Sequence, residues 1–431
     1  MKTKLSGKFW FVLVLFSLVG QIAWVVENMY LNVFIYKMFR ASAADISAMV
    51  SASAVAATLT TVLMGALSDK IGKRKVFMCG GYLAWGISIL GFALLKADLI
   101  GAMFPAAASA MAVGVTLVIV LDCVMTFFGS TANDAAFNAW LTDSTDSTNR
   151  GAAEGINAMM PLVAILAVFG GFMAFDLNSE ESWTWIFLII GGVVLAVGLA
   201  GCFIIKEPAL TPAKEGYFKT VVHGFLPSTI RENVALYFYL AAFIVFNVSI
   251  QIFMPYLILY YEVSLEMADY VLIMAPAIIL ASVVTAFWGR VYDRKGFGFS
   301  GWCSLGWLAA GYVLLYLFRG TALVFLGSLL MMCGYLAGMA VFGAKIRELT
   351  PAGKAGMFQG VRIFSQVLVP GLVGPWIGKT VLANAEKIIN NDGTESFIPN
   401  ANIFLAALGA AVLLAVLLLL KNSKKQKGKT L

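Results

Sequence analysis

The sequence predicts an all-α membrane protein with about twelve spanning helices, and three observations predict it. Hydrophobic residues make up 61% of the chain and charged residues only 12%, which lies outside the usage of soluble domains. Apolar stretches of about 20 residues, the length that crosses a bilayer, recur from end to end. A short loop motif also occurs twice, once in each half of the chain. The polar segments between these stretches are too short to hold a soluble domain.

The apolar stretches fall into two sets of six on either side of one polar segment that holds three prolines. We predict an N-terminal six-helix bundle at 1–205, a cytoplasmic linker at 206–232, a C-terminal six-helix bundle at 233–420 and a basic cytoplasmic tail at 421–431. The individual spans are predicted near residues 10–37, 46–67, 76–95, 110–140, 155–175, 184–205, 233–261, 268–289, 299–318, 322–346, 356–382 and 402–420.

Positive charge lies in alternate loops, which predicts the orientation of the chain because short cytoplasmic loops retain Lys and Arg. The loop after the second span holds Lys70, Lys73, Arg74 and Lys75, whereas the opposite loops carry acidic residues such as Glu180. Both termini are therefore predicted to be cytoplasmic. The net charge of +7 is explained by a basic face on anionic lipid, so no nucleic acid partner is expected.

Several classes of function find no support in the sequence. The one histidine and the five cysteines have no metal-ligand spacing, and we predict no metal and no cofactor. A phosphate-binding loop and a nucleophile elbow are also missing, which argues against an ATP-driven pump and a membrane hydrolase. The chain is therefore predicted to be a transporter and not an enzyme, driven by a gradient if transport is active.

The repeated loop motif is the most specific signal in the sequence. The first copy contains Gly65, Asp69, Lys70 and Gly72, and the second contains Gly289, Asp293, Arg294 and Gly296. Each follows the second span of its half, as in a parallel repeat of two six-helix bundles. In this the chain resembles the major facilitator superfamily, and the resemblance covers essentially the whole chain.

That resemblance implies a gating role for the loops, which would latch the two halves in one access state. The glycines permit a tight turn, and Asp69 can pair with nearby Arg74 or accept hydrogen bonds from a helix end. A helix cap with a basic lipid anchor is the plainer interpretation. The gating candidates are Gly65, Asp69, Arg74, Gly289, Asp293, Arg294 and Arg362.

A second stretch, from Thr131 to Gly151, resembles the end of the fourth helix and the next loop of the glycoside-pentoside-hexuronide cation symporters. Asp134, with Phe137 three residues later, lies where those symporters have a carboxylate that binds sugar. The second helix departs from that family. Where melibiose-type symporters place cation-binding aspartates, it reads Ala-Thr-Leu-Thr-Thr over residues 57–61, and this disfavours sodium coupling there.

Polar residues inside predicted spans supply the site candidates, because a polar group in hydrocarbon is costly unless it faces a cavity or a partner. On the first helix Gln21, Asn28 and Asn32 are predicted to share a face, with Glu27 about 100° from Asn28. Trp24 is a candidate for stacking on a sugar ring or for packing between helices. The other substrate-binding candidates are Asp134, Asn247, Gln251 and Gln366.

Two carboxyls are the candidates for cation coupling. Glu27 can titrate, or it can pair with a group on a neighbouring helix. Asp122 lies in the middle of the fourth span, with Thr126, Ser130 and Asn133 after it at helical spacing. Arg362, only about 10 Å inside its helix, suits a cytoplasmic gate, a ligand contact or a side chain that extends to the interface.

The sequence favours a secondary transporter that moves a sugar, glycoside or similar polar solute by alternating access. We expect symport with a proton rather than sodium, a lipid bilayer as the environment, and a monomer. The multi-pass chain is expected in a bacterial inner membrane. The alternatives are a lipid, lysolipid or drug transporter of the same fold, and a sensor that does not transport.

Overall fold

The fold was obtained as a computed structural model that describes residues 5–107, 109–146, 149–206, 222–267, 269–351, 355–390 and 393–427. Most of these residues are helical. The chain forms two compact units, Met1–Val222 and His223–Leu431. Most of the polar segment between the two bundles, together with the end of the basic tail, lies outside the described residues.

In the described ranges, the first unit contains six long helices and one short one. Pairs of long helices pack together: α3 on α6, α1 on α5 and α2 on α4. A short helix, Ala97–Met103, lies between α3 and α4. The long helices are α1 Gly7–Phe39, α2 Ala43–Ile71, α3 Lys75–Phe92, α4 Ala110–Asp143, α5 Arg150–Phe172 and α6 Glu180–Ile204.

Local side-chain chemistry explains where these helices begin and end. The Ser6 hydroxyl accepts a hydrogen bond from the backbone N–H of Phe9, and Ser42 and Asp45 form a reciprocal capping box at the start of α2. The second helix ends at Gly72, whose φ of 68° is the left-handed conformation that glycine adopts without a steric penalty. The first loop motif therefore lies on the last turns of α2, and its closing glycine ends the helix.

Aromatic packing and close backbone contact hold the first unit together. Phe34 of α1 contacts Trp183 and Phe187 of α6 with ring centroids 5.2 and 4.9 Å apart. A Cβ atom at Gly86 of α3 would lie 2.7 Å from the backbone nitrogen of Leu195, so α3 and α6 approach more closely than larger side chains allow. Small residues thus set the spacing of this helix pair.

The second unit repeats the arrangement, with α7 packed on α11 as α1 packs on α5. A short helix, Pro227–Glu232, precedes the first long helix of this unit. Strands β1 Lys387–Ile389 and β2 Glu395–Phe397 pair antiparallel between the last two long helices. The long helices are α7 Val234–Ser264, α8 270–295, α9 297–317, α10 Thr321–Leu349, α11 355–381 and α12 Asn402–Lys427.

Helices α8 and α9 run on without a loop but form a hairpin at Gly296. The helical segment Tyr270–Leu317 has 48 residues, which at the helical rise is about 72 Å, more than twice the hydrocarbon core. Gly296 breaks it with φ 69° and ψ −178°. The chain turns back there, which brings residues of α8 against α9. The Trp288 indole N–H donates to the Ser304 hydroxyl at 3.1 Å, and the Trp288 ring lies 4.4 Å from the Trp307 ring.

Eleven helical stretches of the described residues are long and apolar enough to span a membrane. The turn at Gly296 divides one of them, which gives twelve spans. The prediction of an all-α protein with about twelve spanning helices is confirmed. Some ends differ from the predicted ones: α4 continues to Asp143, and α12 continues to Lys427.

Gly296→Ala is expected to destabilise the protein by about 1 to 3 kcal/mol, because a side chain strains the backbone in this φ/ψ region. The measurement is the melting temperature of the purified protein in detergent. Gly298→Ala is the matched control, since a Cβ atom there meets nothing within 4 Å and φ is not positive. Equal melting temperatures for both variants would contradict a turn that depends on Gly296.

Candidate functional site

Glu27 connects three helices of the first unit through hydrogen bonds. It lies in a π-helical turn, Val26–Tyr30, within α1, and its side chain is only 6% exposed. Its Oε1 atom accepts hydrogen bonds from the Ser53 hydroxyl of α2 and the Thr126 hydroxyl of α4, both at 2.8 Å. The two hydroxyl oxygens are themselves 2.8 Å apart. The carboxylate and the two hydroxyls therefore form a closed triangle.

Asp122 is a second buried carboxyl beside this triangle. It lies one turn before Thr126 on α4 and is 2% exposed. Ser53 is within its hydrogen-bonding reach, and Glu27 is close enough to act on its charge. The Oδ1 atom of Asp122 and the Oε2 atom of Glu27 are both buried without a hydrogen-bond partner. Each carboxyl of this pair, called the carboxyl pair below, has one oxygen available for a further group.

No cation of the described ranges forms an ion pair with the carboxyl pair. A carboxylate inside a membrane protein costs several kcal/mol unless a partner or a cavity compensates it. Two of them at one site also repel each other. The arrangement is therefore chemically suited to take up a proton or a small cation.

A small cavity with room for about one water molecule lies beside Glu27. Glu27 is the polar residue among those that line it. The other lining residues are Ala23, Val26, Leu31, Ile89, Met125, Phe187 and Ile190. A water molecule or a proton that enters this cavity meets Glu27 as its polar contact.

Trp24 belongs to a second hydrogen-bond chain, centred on Asn133. The indole N–H of Trp24 donates to Asn133 Oδ1 at 3.3 Å, and Asn133 Nδ2 donates to the Tyr82 hydroxyl at 2.9 Å. That hydroxyl donates to the Phe16 carbonyl at 2.5 Å. The Trp24 ring also lies 5.1 Å from the Trp85 ring. Interhelix packing therefore occupies the indole N–H and part of the ring of Trp24.

Asp134 is less buried than the carboxyl pair and has its own partners. The Ser130 hydroxyl donates to its Oδ2 atom at 3.0 Å, and the Asn138 amide donates to its backbone carbonyl at 3.1 Å. The side chain remains partly exposed. It lies in a second π-helical segment, Ser130–Phe137, within α4. Asp134 is thus more accessible than either member of the carboxyl pair.

The common face of Gln21, Asn28 and Asn32 stays a prediction, and the three side chains differ in exposure. Asn28 is exposed, whereas Asn32 is fully buried and its Oδ1 atom has no hydrogen-bond partner. Both amides donate to backbone carbonyls one turn earlier, those of Trp24 and Asn28. The π-helical turn inserts an extra residue into the helix and rotates everything after it, so regular helical spacing fails there. Gln21, which precedes the turn, is partly exposed.

The candidates of the second unit do not bond to one another. Asn247 is buried, and its amide donates to the carbonyl of Phe243 at 2.8 Å. Gln251 packs against α11, where a Cβ atom added at Gly374 would collide with the Cβ atom of Gln251. Gln366 lies partly exposed in a π-helical turn of α11. Asn247 thus forms a hydrogen bond within α7, and Gln251 packs against Gly374 of α11.

Sequence reasoning missed Ser53, Tyr82 and Asp143. Ser53 lies in a run of small residues on α2 that indicates close helix packing, and nothing in its spacing reveals contact with Glu27. Tyr82 lies in the apolar part of α3. The charge of Asp143 at the end of α4 indicated a possible ion pair, but its partner, Arg74, lies in a different loop, the one after α2.

The first loop motif forms a buried ion network. Arg74 contacts Asp69 Oδ1 at 2.5 Å and Asp143 Oδ2 at 2.8 Å, and it donates to the Ser68 hydroxyl at 2.7 Å. Burial lowers the pKa of Arg74, but the hydrogen bonds to Asp143 and Asp69 outweigh it, and the pKa lies above its ordinary value. The network ties the loop to the end of α4. Gly65 lies one turn earlier on α2 and is partly exposed.

The second loop motif does not form an equivalent network. Gly289, Asp293 and Arg294 are all exposed. Instead the Tyr292 hydroxyl donates to Glu348 Oε2 at 2.7 Å, and Lys345 donates to the other oxygen of Glu348 at 2.8 Å. The two copies thus share a position after the second helix of each unit but differ in their contacts.

Arg362 lies near the start of α11, partly exposed, with its Nε atom buried and without a hydrogen-bond partner. It makes no ion pair with the described carboxylates. Within the second unit, Arg362 therefore forms no ion pair with the gating candidate Asp293.

In the described ranges, twelve apolar helices in two similar units, with charged groups buried inside them, indicate a multi-pass membrane transporter rather than an enzyme. The chain belongs to the Major Facilitator Superfamily, whose sequence pattern matches residues 9–375. No curated protein matches the sequence.

Solved structures agree with this assignment at the level of the fold. A mutant of the nucleoside transporter NupG superposes with a TM-score of 0.70 at 14% identity, covering 94% of this chain and 98% of its own. An inward-facing, occupied bacterial homolog of the human lysosomal transporter Spinster gives 0.69 at 13% identity, covering 97% and 98%. A transporter of the Major Facilitator Superfamily moves a small-molecule solute across a membrane.

Arg74→Gln is expected to lower the stability of the protein by about 2 kcal/mol, because two partly buried carboxylates lose their charged partner. The measurement is the melting temperature in detergent. Arg294→Gln in the second loop is the matched control and should stay within about 0.5 kcal/mol, since Arg294 is exposed. If both substitutions lower stability equally, the ion network is not what holds the first loop.

Proposed function

We propose that this transporter is a symporter that couples the entry of a proton to the movement of a small polar solute, with a sugar or glycoside as the favoured class. The observation that carries the proposal is the carboxyl pair, Glu27 and Asp122. These two buried acids have unpartnered oxygens and no ion pair with a described cation. A transported proton neutralises one of them, and its release restores the repulsion between them.

The coupling ion is proposed to be a proton rather than sodium. A proton needs one carboxyl oxygen, whereas a metal cation gathers several oxygen ligands around itself. Here both nearby hydroxyls, those of Ser53 and Thr126, lie 2.8 Å from Glu27 Oε1 and are engaged as its donors. Residues 57–61 of α2 also contain no carboxylate. Few oxygens therefore remain for a metal ion.

The solute is proposed to contact the accessible polar residues of the first unit. Asp134 and Gln21 are partly exposed and Asn28 is exposed, and carboxylate and amide groups suit a solute rich in hydroxyls. The resemblance of the stretch around Asp134 to the glycoside-pentoside-hexuronide symporters supports the same class. In the second unit Gln251 and Gln366 are the candidates with partly exposed side chains.

The remaining parts of the proposal concern topology and gating. The unequal distribution of Lys and Arg supports cytoplasmic termini. We propose bundles at 1–205 and 233–420 and a bacterial inner membrane as the location. We propose that the chain works as a monomer. The ion network of Arg74 with Asp69 and Asp143 is proposed to open and close during transport, since charge-assisted hydrogen bonds can be exchanged between two states.

A ligand screen by thermal shift tests the solute class, because a ligand that binds only the folded state stabilises it by about 2.7 kcal/mol at 100 times its Kd. We expect the melting temperature to rise with sugars or glycosides. Nucleosides, amino acids and lysolipids belong in the same screen. A rise with nucleosides or lysolipids alone would replace the sugar proposal, the former in line with the NupG fold and the latter with a lipid transporter.

Glu27→Gln and Asp122→Asn are each expected to abolish uphill accumulation of the solute while solute exchange continues, because an amide does not carry a proton through the cycle. The measurement is uptake into proteoliposomes under an imposed pH gradient, compared with exchange without a gradient.

Glu181→Gln, at an exposed position in the first turn of α6, is the matched control and should accumulate solute normally. Because the two substitutions remove repulsion inside the pair, neither should lower the melting temperature. Retained accumulation in both variants would exclude the carboxyl pair from coupling. Accumulation that follows a sodium gradient instead would replace the proton.

A further inference from the structure

Arg362 carries a buried donor for which the described part of the chain provides no acceptor. Its Nε atom is shielded from solvent and has no hydrogen-bond partner. The residue lies about 10 Å into α11 at the helical rise. Its guanidinium lies against α10, because a Cβ atom at Gly343 would be 3.6 Å from Nη2. The side chain is thus held inside the second unit at a glycine.

The surroundings of Arg362 add positive charge rather than compensate it. Arg347, one helical turn beyond Gly343 on α10, is close enough to repel the guanidinium. The nearest described carboxylate in sequence on α10, Glu348, is already bonded to Lys345 and Tyr292. Within the described ranges no carboxylate forms an ion pair with Arg362. Arg362 therefore has a like charge nearby and no ion-pair partner among the described carboxylates.

Such an arrangement costs free energy in the absence of an anion. A buried charge without a partner destabilises a protein, and an orphaned N–H donor adds its own desolvation cost. A carboxylate or phosphate removes both costs, since it accepts two parallel hydrogen bonds from one guanidinium. Gly343 has no side chain, so an anion that approaches Arg362 along α10 meets little steric hindrance there.

We infer that Arg362 binds an anionic group, and that the transported solute carries a carboxylate or a phosphate. The inference rests on the proposed function, since it takes the solute to be a small polar molecule, and it narrows the class from polar to anionic. The placement of the guanidinium against α10 favours a solute over a lipid headgroup, which would reach an outward-facing side chain more readily.

The test compares neutral and anionic ligands that differ at a single group. Binding of methyl glucuronide and of methyl glucoside to the purified protein is measured by calorimetry, alongside glycerol 3-phosphate and glycerol. We expect at least one anionic member to bind at least about tenfold more tightly than its neutral twin. Arg362→Gln should remove that preference, and Arg231→Gln, an exposed arginine of the second unit, should keep it.

A second measurement does not depend on the folding of any variant. Phenylglyoxal modifies accessible arginine side chains, and mass spectrometry reports the extent at Arg362. Millimolar anionic ligand should protect Arg362 and leave Arg231 unprotected. Protection in nanodiscs of anionic lipid, with none from the soluble anions, would assign the site to a lipid headgroup and overturn the inference.

The outcomes separate this inference from the proposed function. Equal binding of neutral and anionic glycosides by the native protein and the Arg362→Gln variant overturns the anion site and leaves the sugar symporter intact. Tight binding of glycerol 3-phosphate with no binding of either glycoside supports the anion site and overturns the sugar class. Failure of all four ligands to bind or to protect Arg362 overturns both.

Discussion

Three helices of the first unit meet at a single carboxylate oxygen, because Ser53 of α2 and Thr126 of α4 both donate to Oε1 of Glu27. Inside a membrane protein, few other groups can replace these two hydrogen bonds. The cavity beside Glu27 has room for only about one water molecule, so the helices must remain together for the carboxyl to keep both hydrogen bonds. The same triangle brings Glu27 near Asp122, which makes a buried pair of acids from residues far apart in the sequence.

The π-helical turns are the local feature that makes this geometry possible. In α1 the turn Val26–Tyr30 contains Glu27, and in α4 the segment Ser130–Phe137 contains Asp134. A further turn in α11 contains Gln366. Each turn adds a residue to the helix and weakens its regular hydrogen bonding, a cost that is retained mainly at functional sites. A fourth turn, Tyr260–Ser264 in α7, contains Glu262, so polar side chains and π-helical turns coincide at four places among the described residues.

The two units share a helix arrangement but differ in their charges. Glu27, Asp122 and Asp134 make the interior of the first unit acidic, and a network around Arg74 closes its loop. The second unit has instead an arginine with an orphaned donor at Arg362, and its loop motif is exposed. A repeated fold has thus acquired acidic groups suited to a cation in one copy and a basic group suited to an anion in the other.

The sequence by itself determined the fold class, because hydrophobic length and the repeated loop motif follow directly from what a bilayer requires. It also pointed to Glu27, Asp122 and Arg74 as charges that need an explanation within an apolar chain. Only the tertiary structure decided their partners. Ser53 reaches Glu27 only because α2 packs beside α1. The common face expected for Asn28 and Asn32 assumed 3.6 residues per turn, and the π-helical turn changes that number. Helical periodicity is local and readable, whereas contacts between helices depend on packing that no spacing within one helix encodes.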